Sequence, residues 1–270
     1  MAIVLASLLD ADWNRLGEEA YAAAEAGVDG ISIDIMDGEF VPRITFNPAH
    51  ASIIRNLVDI PIEVHLMTAS PEKHVQAFCD AGADQIIFHL EATDNPLSLI
   101  NYIKSRGLRA GISVLKETSL DAISDELLGV VDAINLMSIK VGYGGQVADD
   151  ITLDRLRALR KRAESLNPSV ALEVDGGMKH NNCARFVNAG ADVIIVGTGI
   201  YKSNNYNEAI KLIKANLTEN AETSYNRLKT FFAQPSKNNI DDMERRQRLN
   251  QLRIDMDIPE SSWDPLNSKR

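Results

Sequence analysis

The stretch "AGADVIIV", residues 189–196, decides the fold, because in it a helix end runs directly into a short apolar strand. Glycine suits the left-handed backbone conformation that commonly ends a helix, and the apolar run after the aspartate is typical of a strand. The same Ala-Gly-x-Asp pattern occurs at residues 26–29 and 81–84, and an apolar run follows it each time. The chain therefore repeats one unit, a helix followed by a strand.

Eight apolar runs of the sequence have the character of strands. They lie at about residues 3–7, 30–35, 62–66, 85–89, 109–114, 132–137, 170–174 and 193–196. Segments with helical periodicity separate them, and eight βα units in a chain of 270 residues predict an α/β protein with a (β/α)8 TIM barrel. A doubly wound sheet is the runner-up, but the first turn lacks the GxGxxG pattern of that fold.

The barrel is predicted as a single domain over residues 1–217, followed by a C-terminal extension over residues 218–270. Residues 206–233 have a helical pattern, and the chain becomes polar and charged after Pro235. A short amphipathic helix is plausible at 239–255, and the last residues have the composition of a loosely held tail. The extension is either a surface-docked or disordered appendage, or an oligomer contact or lid.

Composition limits the class of partner. The formal net charge is −10, which argues against nucleic acid because phosphate backbones need clustered Lys and Arg. No apolar run approaches the roughly 20 residues of a membrane span, and the N-terminus lacks the basic region of a signal peptide. We therefore expect no membrane partner and a cytoplasmic location, whereas a small phosphorylated substrate remains compatible with the charge.

Polar residues stand at the ends of several predicted strands. In TIM barrels the reacting groups lie at the C-terminal ends of the strands, so inward-pointing polar side chains there are candidate site residues. Alternation along the strands selects Ser7, Ser32, Asp34, His65, Met67, Met137 and Asp175. Asp34 and Asp175 are predicted to lie across the barrel from each other, an arrangement that moves a proton from one face of a carbon to the other. The alternative for either aspartate alone is a helix cap.

Glycines follow the last three predicted strands. They occur in Gly142-Tyr143-Gly144-Gly145, in Gly176-Gly177 and in Gly197-Thr198-Gly199. Loops in this part of a TIM barrel commonly bind phosphate through exposed backbone N–H groups. Any one of these segments could be a simple turn, but three consecutive loops with the same feature predict a phosphate cradle.

Together these motifs resemble the ribulose-phosphate 3-epimerase family over about residues 3–215. The likeness is carried by Ser7–Asp12, Asp34–Gly38, Phe40–Pro42, Val64–Met67, Gly142–Gln146 and Val174–Gly177. It implies an isomerase that interconverts D-ribulose 5-phosphate and D-xylulose 5-phosphate, or a longer ketose phosphate, through a cis-enediolate. It also implies that the protein forms a homo-oligomer.

The resemblance assigns roles by position. Asp34 and Asp175 would transfer protons, and with His65 they would ligate a divalent metal that stabilises the enediolate. Ser7 would hydrogen-bond the substrate, and Met36, Met67 and Met137 would line the site. These methionines would otherwise be ordinary core residues.

The chain departs from the family where a fourth ligand, a histidine, is expected, because Ser32 stands there. The three remaining ligands could hold Zn²⁺, Mn²⁺ or Fe²⁺, but more weakly. Three cations at the predicted rim of the site, Arg43, Lys116 and Lys140, also depart from the family pattern. They reflect either sequence drift on an exposed rim or a substrate with a longer chain or a second anionic group.

Three hypotheses follow from these observations. The first is a sugar-phosphate 3-epimerase. The second is a phosphosugar-binding barrel with altered, weakly metal-dependent enediolate chemistry, which Ser32 keeps open. The third is a non-catalytic binding or scaffold protein, against which the retained pair Asp34 and Asp175 argues.

Overall fold

A computed structural model of the chain describes residues 2–217, and within them eight parallel strands form a closed barrel in sequence order. The strands are β1 Ile3–Ser7, β2 Gly30–Met36, β3 Ile62–Met67, β4 Gln85–His89, β5 Arg109–Val114, β6 Ala133–Met137, β7 Ala171–Asp175 and β8 Val193–Val196. Each strand lies within one residue of its predicted bounds. The prediction of a TIM barrel is therefore confirmed.

Helices lie outside the barrel and connect successive strands. They are α1 Leu16–Glu25, α2 Pro48–Arg55, α3 Val75–Asp80, α4 Pro96–Ser105, α5 Asp125–Val130, α6 Ile151–Leu166, α7 Cys183–Asn188, α8 Thr198–Tyr201 and α9 Tyr206–Ala215. Their apolar faces pack on the outward-facing residues of the strands in one large core. Within residues 2–217, no helix combines the length and the apolar character that crossing a membrane requires.

The predicted helix over residues 206–233 is wrong in its extent, because α9 ends at Ala215. The backbone N–H groups of Asn216 and Leu217 donate to Ile213 and Lys214, three residues back, and so tighten the chain into a turn. Leu217 is completely buried, so this turn directs its side chain into the core. Residues 218–270, with the predicted amphipathic helix and tail, lie outside the described residues.

Strand register brings the polar side chains of the barrel interior together. Asp34 pairs with His65 across β2 and β3, and Met137 pairs with Asp175 across β6 and β7. A small apolar cluster, which includes Ile3, Leu5 and Ile195, fills the lower part of the interior. Because the strands are parallel, all their C-terminal ends open at the same mouth.

The three aspartates of the repeated sequence pattern, together with Asp132 at the equivalent place before β6, have a common structural role at the opposite end of the barrel. Four aspartates, each just before an even-numbered strand, accept the backbone N–H near the start of the preceding strand. The pairs are Asp29 with Val4, Asp84 with Ile62, Asp132 with Ala110 and Asp192 with Leu172, at 2.8–3.0 Å. Each carboxylate also pairs with a cation from a surrounding helix, namely Lys214, Arg55, Lys104 or Arg160. These contacts bind strands to helices away from the mouth.

We expect Asp192→Ala to lower the free energy of unfolding by roughly 3–5 kcal/mol, because the buried Arg160 loses its carboxylate partner. Asp29→Ala is the matched control. The side chain of Asp29 is 23% exposed, so its pair with Lys214 is partly solvated and we expect a smaller loss of about 1 kcal/mol. Urea unfolding of both variants measures the two losses, and equal losses would contradict this account of the repeat.

Candidate active site

A cleft lined by both polar and apolar groups opens at the mouth of the barrel, where the strands end. The predicted substrate residues and the predicted phosphate residues line this one cleft. They are Ser7, Asp34, Met36, Met67, Met137 and Asp175, with Gly142, Tyr143, Gly144, Gly145, Gly176, Gly177, Gly197 and Thr198. His65 and Ser32 lie below, with no exposed surface. The tertiary structure thus brings together residues that are up to 191 positions apart in the sequence, as from Ser7 to Thr198.

His65 joins the two predicted proton-transfer residues. Its Nδ1 lies 3.1 Å from Oδ1 of Asp34 and 3.6 Å from Oδ2 of Asp175. On the other side of Asp34, the hydroxyl of Ser7 donates to Oδ2 at 2.7 Å. Asp34 thus has a polar partner at each of its carboxylate oxygens, and these contacts fix the orientation of its side chain.

Burial and hydrogen bonding shift the pKa values of His65 and Asp175. Burial by itself would lower the pKa of His65, but hydrogen bonds to Asp175 and Asp34 outweigh it and raise the pKa to about 10. Burial also raises the pKa of Asp175, against the opposing hydrogen bond from His65. The arrangement favours a charged imidazolium at His65 and makes the carboxyl of Asp175 easier to protonate.

These three side chains also fit a divalent metal. Within the described part of the chain they are the one group of three or more His, Cys, Asp or Glu whose donor atoms all lie within 4.8 Å of one another. Two carboxylates and an imidazole are ligands that Zn²⁺, Mn²⁺ and Fe²⁺ accept. The site therefore has the donor chemistry of a metal centre with an open coordination position.

Ser32 does not join this group. Its hydroxyl donates to Oε1 of Glu63 at 3.2 Å, one step below His65 along β3. Glu63 belongs to a buried polar layer in which the amide of Gln85 donates to Glu63 at 2.6 Å and to Glu173 at 2.9 Å. Burial and the neighbouring Glu173 raise the pKa of Glu63 well above its usual range. Ser32 is thereby held in the floor of the site.

His89 contacts His65 through the ring nitrogen that faces away from the aspartates. It does not take the place of the fourth ligand that the family has at position 32. The two Nε2 atoms lie 3.1 Å apart, and Nδ1 of His89 lies 3.3 Å from Oε2 of Glu91. One proton arrangement satisfies both contacts, in which His65 donates to a neutral His89 and His89 donates to Glu91. Burial lowers the pKa of His89 to about 4, in agreement with its neutral form. Nδ1 of His65 is thereby oriented toward the two aspartates.

The methionines form an apolar wall of the cleft. Met36 and Met67 are almost fully buried and pack with Val41. Met137 accepts a weak hydrogen bond from the amide of Asn135 at 3.6 Å. Their side chains thus place an apolar surface on the same cleft as Asp34 and Asp175.

The glycine-rich loops after β6, β7 and β8, here called the glycine loops, require glycine at several points. Gly142, Gly145, Gly176 and Gly177 all have positive φ. A Cβ atom at Gly177 would lie 2.4 Å from the backbone nitrogen of Ala148, so the loops after β6 and β7 approach closely there. This packing leaves backbone rather than side chains on one side of the cleft.

The rim cations are partly engaged with neighbouring groups. Lys116 pairs with Asp149 at 3.3 Å. The Arg43 guanidinium lies 4.7 Å from the ring centroid of Trp13, and its Nη1 donates to the carbonyl of Gly142 at 3.4 Å. A second anionic group on the substrate would have to compete with these partners.

Sequence reasoning missed three residues at the site, namely Asp10, Gln85 and Glu91. Glu91 follows β4 and holds His89, and Gln85 lies within β4 under the site. Asp10 lines the cleft beside the glycine loops. Asp10 stands in the quoted segment Ser7–Asp12, and a charged residue directly after β1 was the one available signal.

The position of these groups indicates the class of protein. TIM-barrel enzymes carry their reacting groups where the strands end, and this chain places its linked aspartates and imidazole there. The sequence comparison then gives the family: the model described as "Ribulose-phosphate 3 epimerase family" matches residues 3–201, and the chain belongs to this family. It is therefore an isomerase.

Relatives agree with this assignment. The chain is 38% identical over 215 residues to a ribulose-phosphate 3-epimerase of Aquifex aeolicus, covering 80% of this chain and 96% of the relative. It is 41% identical over 210 residues to the Synechocystis enzyme of the same name, covering 77% and 91%. Among solved structures, KGPDC from Streptococcus mutans matches with a TM-score of 0.60, 15% identity and coverage of 80% and 97%. That likeness supports the barrel fold alone.

We expect Glu91→Gln to destabilise the protein in a pH-dependent way. Burial opposes the charge of Glu91, but hydrogen bonds from His89, Thr118 and the backbone of Leu115 lower its pKa to about 2. Because this pKa is below the ordinary 4.5, the charge stabilises the fold above pH 4.5 and the contribution is lost as pH falls toward 2. The variant should lose roughly 1–3 kcal/mol at pH 7 and approach wild type as the pH falls below 4.5.

Urea unfolding at pH 7 and pH 3 measures this difference. Glu117→Gln is the control, because the side chain of Glu117 is 68% exposed and its Oε1 lies as far as 4.0 Å from Nζ of Lys116. A gap between wild type and Glu91→Gln that is as large at pH 3 as at pH 7 would rule out the proposed role of the Glu91 charge.

Proposed function

We propose that the chain is a sugar-phosphate 3-epimerase, which interconverts D-ribulose 5-phosphate and D-xylulose 5-phosphate or a longer ketose-phosphate pair. The observation that carries this proposal is the pair of carboxylates, Asp34 and Asp175, that approach the same Nδ1 of His65 inside the cleft. Two acid–base groups in different environments suit the removal of a proton from one face of C3 and its return to the other. The names of the relatives support the same chemistry.

In the proposed reaction, Asp34 is the base for one epimer. Its carboxylate takes the C3 proton, the C–H electron pair forms the C2–C3 double bond, and the carbonyl π pair moves to O2. Asp175, whose pKa is raised by burial, then gives its proton to C3 from the other side, and the carbonyl forms again. The opposite epimer uses the two aspartates in reversed roles. No electrons leave the substrate, so no redox partner is needed.

Asp34, His65 and Asp175 would hold a divalent Zn, Mn or Fe ion. When bound, the ion would supply positive charge that stabilises the oxygens of the enediolate. The hydroxyl of Ser7 holds Asp34 in place at 2.7 Å, and the wall of Met36, Met67 and Met137 keeps water from the carbanion-like C3.

The glycine loops would bind the phosphate of the substrate. Gly142, Tyr143, Gly144, Gly145, Gly176, Gly177, Gly197 and Thr198 form this phosphate cradle, on the same cleft as the aspartates. Phosphate held at one end of the cleft would place the sugar carbons over Asp34 and Asp175. Binding of the remote phosphate would thereby orient the reacting carbon, C3, relative to the two aspartates.

Ser32 favours a second candidate, an epimerase barrel whose enediolate chemistry depends only weakly on metal. Its hydroxyl is engaged with Glu63, so the donor set of the site is limited to Asp34, His65 and Asp175. The two candidates differ in one observable. Extensive chelation should abolish epimerisation in the first and leave a substantial part of it in the second.

We expect wild-type protein incubated with ribulose 5-phosphate in D₂O to incorporate deuterium at C3, measured by NMR. Asp175→Asn should lower the rate of conversion to xylulose 5-phosphate roughly 10²–10⁴-fold, because the amide cannot give a proton to the other face of C3. Asp149→Asn is the control, since Asp149 lies at the rim and pairs with Lys116 instead. The proposed function is wrong if no pentulose, hexulose or heptulose phosphate exchanges at C3, with or without added Mn²⁺ or Zn²⁺.

The double variant Ser32→His/Glu63→Asp should bind Zn²⁺ or Mn²⁺ more tightly, by roughly tenfold or more, or about 1.4 kcal/mol. The histidine adds a fourth ligand, and the shorter aspartate leaves room for it where Ser32 now contacts Glu63. Chelator competition with metal analysis measures the affinity. Ser32→Ala with Glu63→Asp is the control, and equal metal affinity in both double variants would show that position 32 does not face the metal.

A further inference from the structure

Asp10 lies inside the phosphate cradle. It ends the short helical turn Leu8–Asp10 that follows β1, and its side chain reaches between the loops after β6 and β8. A Cβ atom built on Gly144 would lie 2.2 Å from Oδ1 of Asp10, and one built on Gly197 would lie 2.2 Å from Oδ2. Each oxygen of the carboxylate therefore faces one of the two glycines, and the carboxylate fills the space between these loops.

The contacts of Asp10 are those of a bound anion. The backbone N–H of Thr198, a member of the cradle, donates to the carboxylate, and the positive charges of Lys202 and Arg43 attract it. Burial and the nearby negative charge of Asp34 oppose its ionisation, and burial has the largest effect, so the pKa of Asp10 is raised. The cradle thus already holds an anionic group that belongs to the protein itself.

A substrate phosphate in the cradle would need the same place. It would have to contact the backbone of Gly144 and Gly197 and accept the Thr198 N–H, where Asp10 now does both. A phosphate dianion beside an ionised carboxylate would also be repelled, most strongly where little water separates the two groups. Asp10 and a bound phosphate therefore exclude each other unless the side chain turns away.

We propose that Asp10 is an internal competitor for the phosphate cradle, which a phosphorylated ketose must displace in order to bind. The inference rests on the proposed function, because it takes the glycine loops as the phosphate site. Its consequence is selectivity. Inorganic phosphate and other small anions gain too little from the cradle alone to displace Asp10, whereas a ketose phosphate also binds at Asp34 and Asp175. Asp10 is thus a specificity-determining residue.

Two substitutions separate the charge of Asp10 from its bulk. Asp10→Ser removes both the charge and the reach into the cradle, whereas Asp10→Asn keeps the size and removes the charge. Asp12→Asn is the matched control: it removes the same charge two residues further on, and an asparagine can still accept the backbone N–H of Asn14 as Asp12 does at 3.1 Å. Asp12 does not line the cleft.

The experiment measures inorganic phosphate binding by calorimetry and the KM for ribulose 5-phosphate, with the full chain. If Asp10 fills the cradle in nine of ten molecules, its removal raises the apparent phosphate affinity roughly tenfold. We expect this gain and a lower KM in Asp10→Ser, a smaller gain in Asp10→Asn, and no gain in Asp12→Asn. Thermal unfolding of each variant establishes that it is folded, and the nearly isosteric Asp10→Asn still gives a test if Asp10→Ser fails to fold.

The inference is overturned if folded Asp10→Ser and Asp10→Asn bind inorganic phosphate no more tightly than wild type, or if none of the proteins binds it. A gain of the same size in Asp12→Asn also overturns it, because a change in net charge then suffices. The outcome is distinct from that of the proposed function. Epimerisation with unchanged phosphate affinity removes only the role of Asp10, whereas tighter phosphate binding without epimerisation removes the reaction and leaves a phosphate site.

Discussion

The centre of this barrel depends on one interaction, in which the buried imidazolium of His65 lies against two carboxylates. His65 has no exposed surface, and its pKa is nevertheless raised to about 10 because Asp175 and Asp34 lie beside Nδ1. Buried charges are costly unless they are paired and hydrogen-bonded. The closed barrel meets this requirement because it brings the ends of β2, β3 and β7 to one mouth. A metal bound by the same atoms would replace the proton of His65 in that balance.

The same need for paired polar groups applies to the buried polar layer below the mouth of the barrel. Glu63 and Glu173 are fully buried, and Gln85 bridges them while accepting a hydrogen bond from Arg109 at 2.8 Å. Ser32 is held by Glu63, so a substitution at position 32 also changes this layer. The departure from the family at position 32 therefore lies in a packed network, where the effect of one substitution depends on the neighbouring residues.

Most of the fold and part of the site follow from local sequence patterns. Strand positions were predictable because each strand of a barrel with helices outside is a short apolar run between helix ends. Asp34 and Asp175 were predictable because side-chain alternation assigns a face and the end of a strand assigns a depth. The prediction failed at the end of α9, where the helical pattern continues but the buried Leu217 turns the chain. Helical propensity is a weak signal against such tertiary packing.

The sequence by itself determined the class of fold, the order of its strands and the type of residue at the mouth, because these depend on periodicity and short motifs. Only the tertiary structure decided which of these residues touch. It placed Glu91 beside His89, made Ser32 a partner of Glu63, and directed the carboxylate of Asp10 between Gly144 and Gly197. Such contacts join residues from different strands and loops. They depend on side-chain direction and on barrel closure, which no local pattern in the sequence contains.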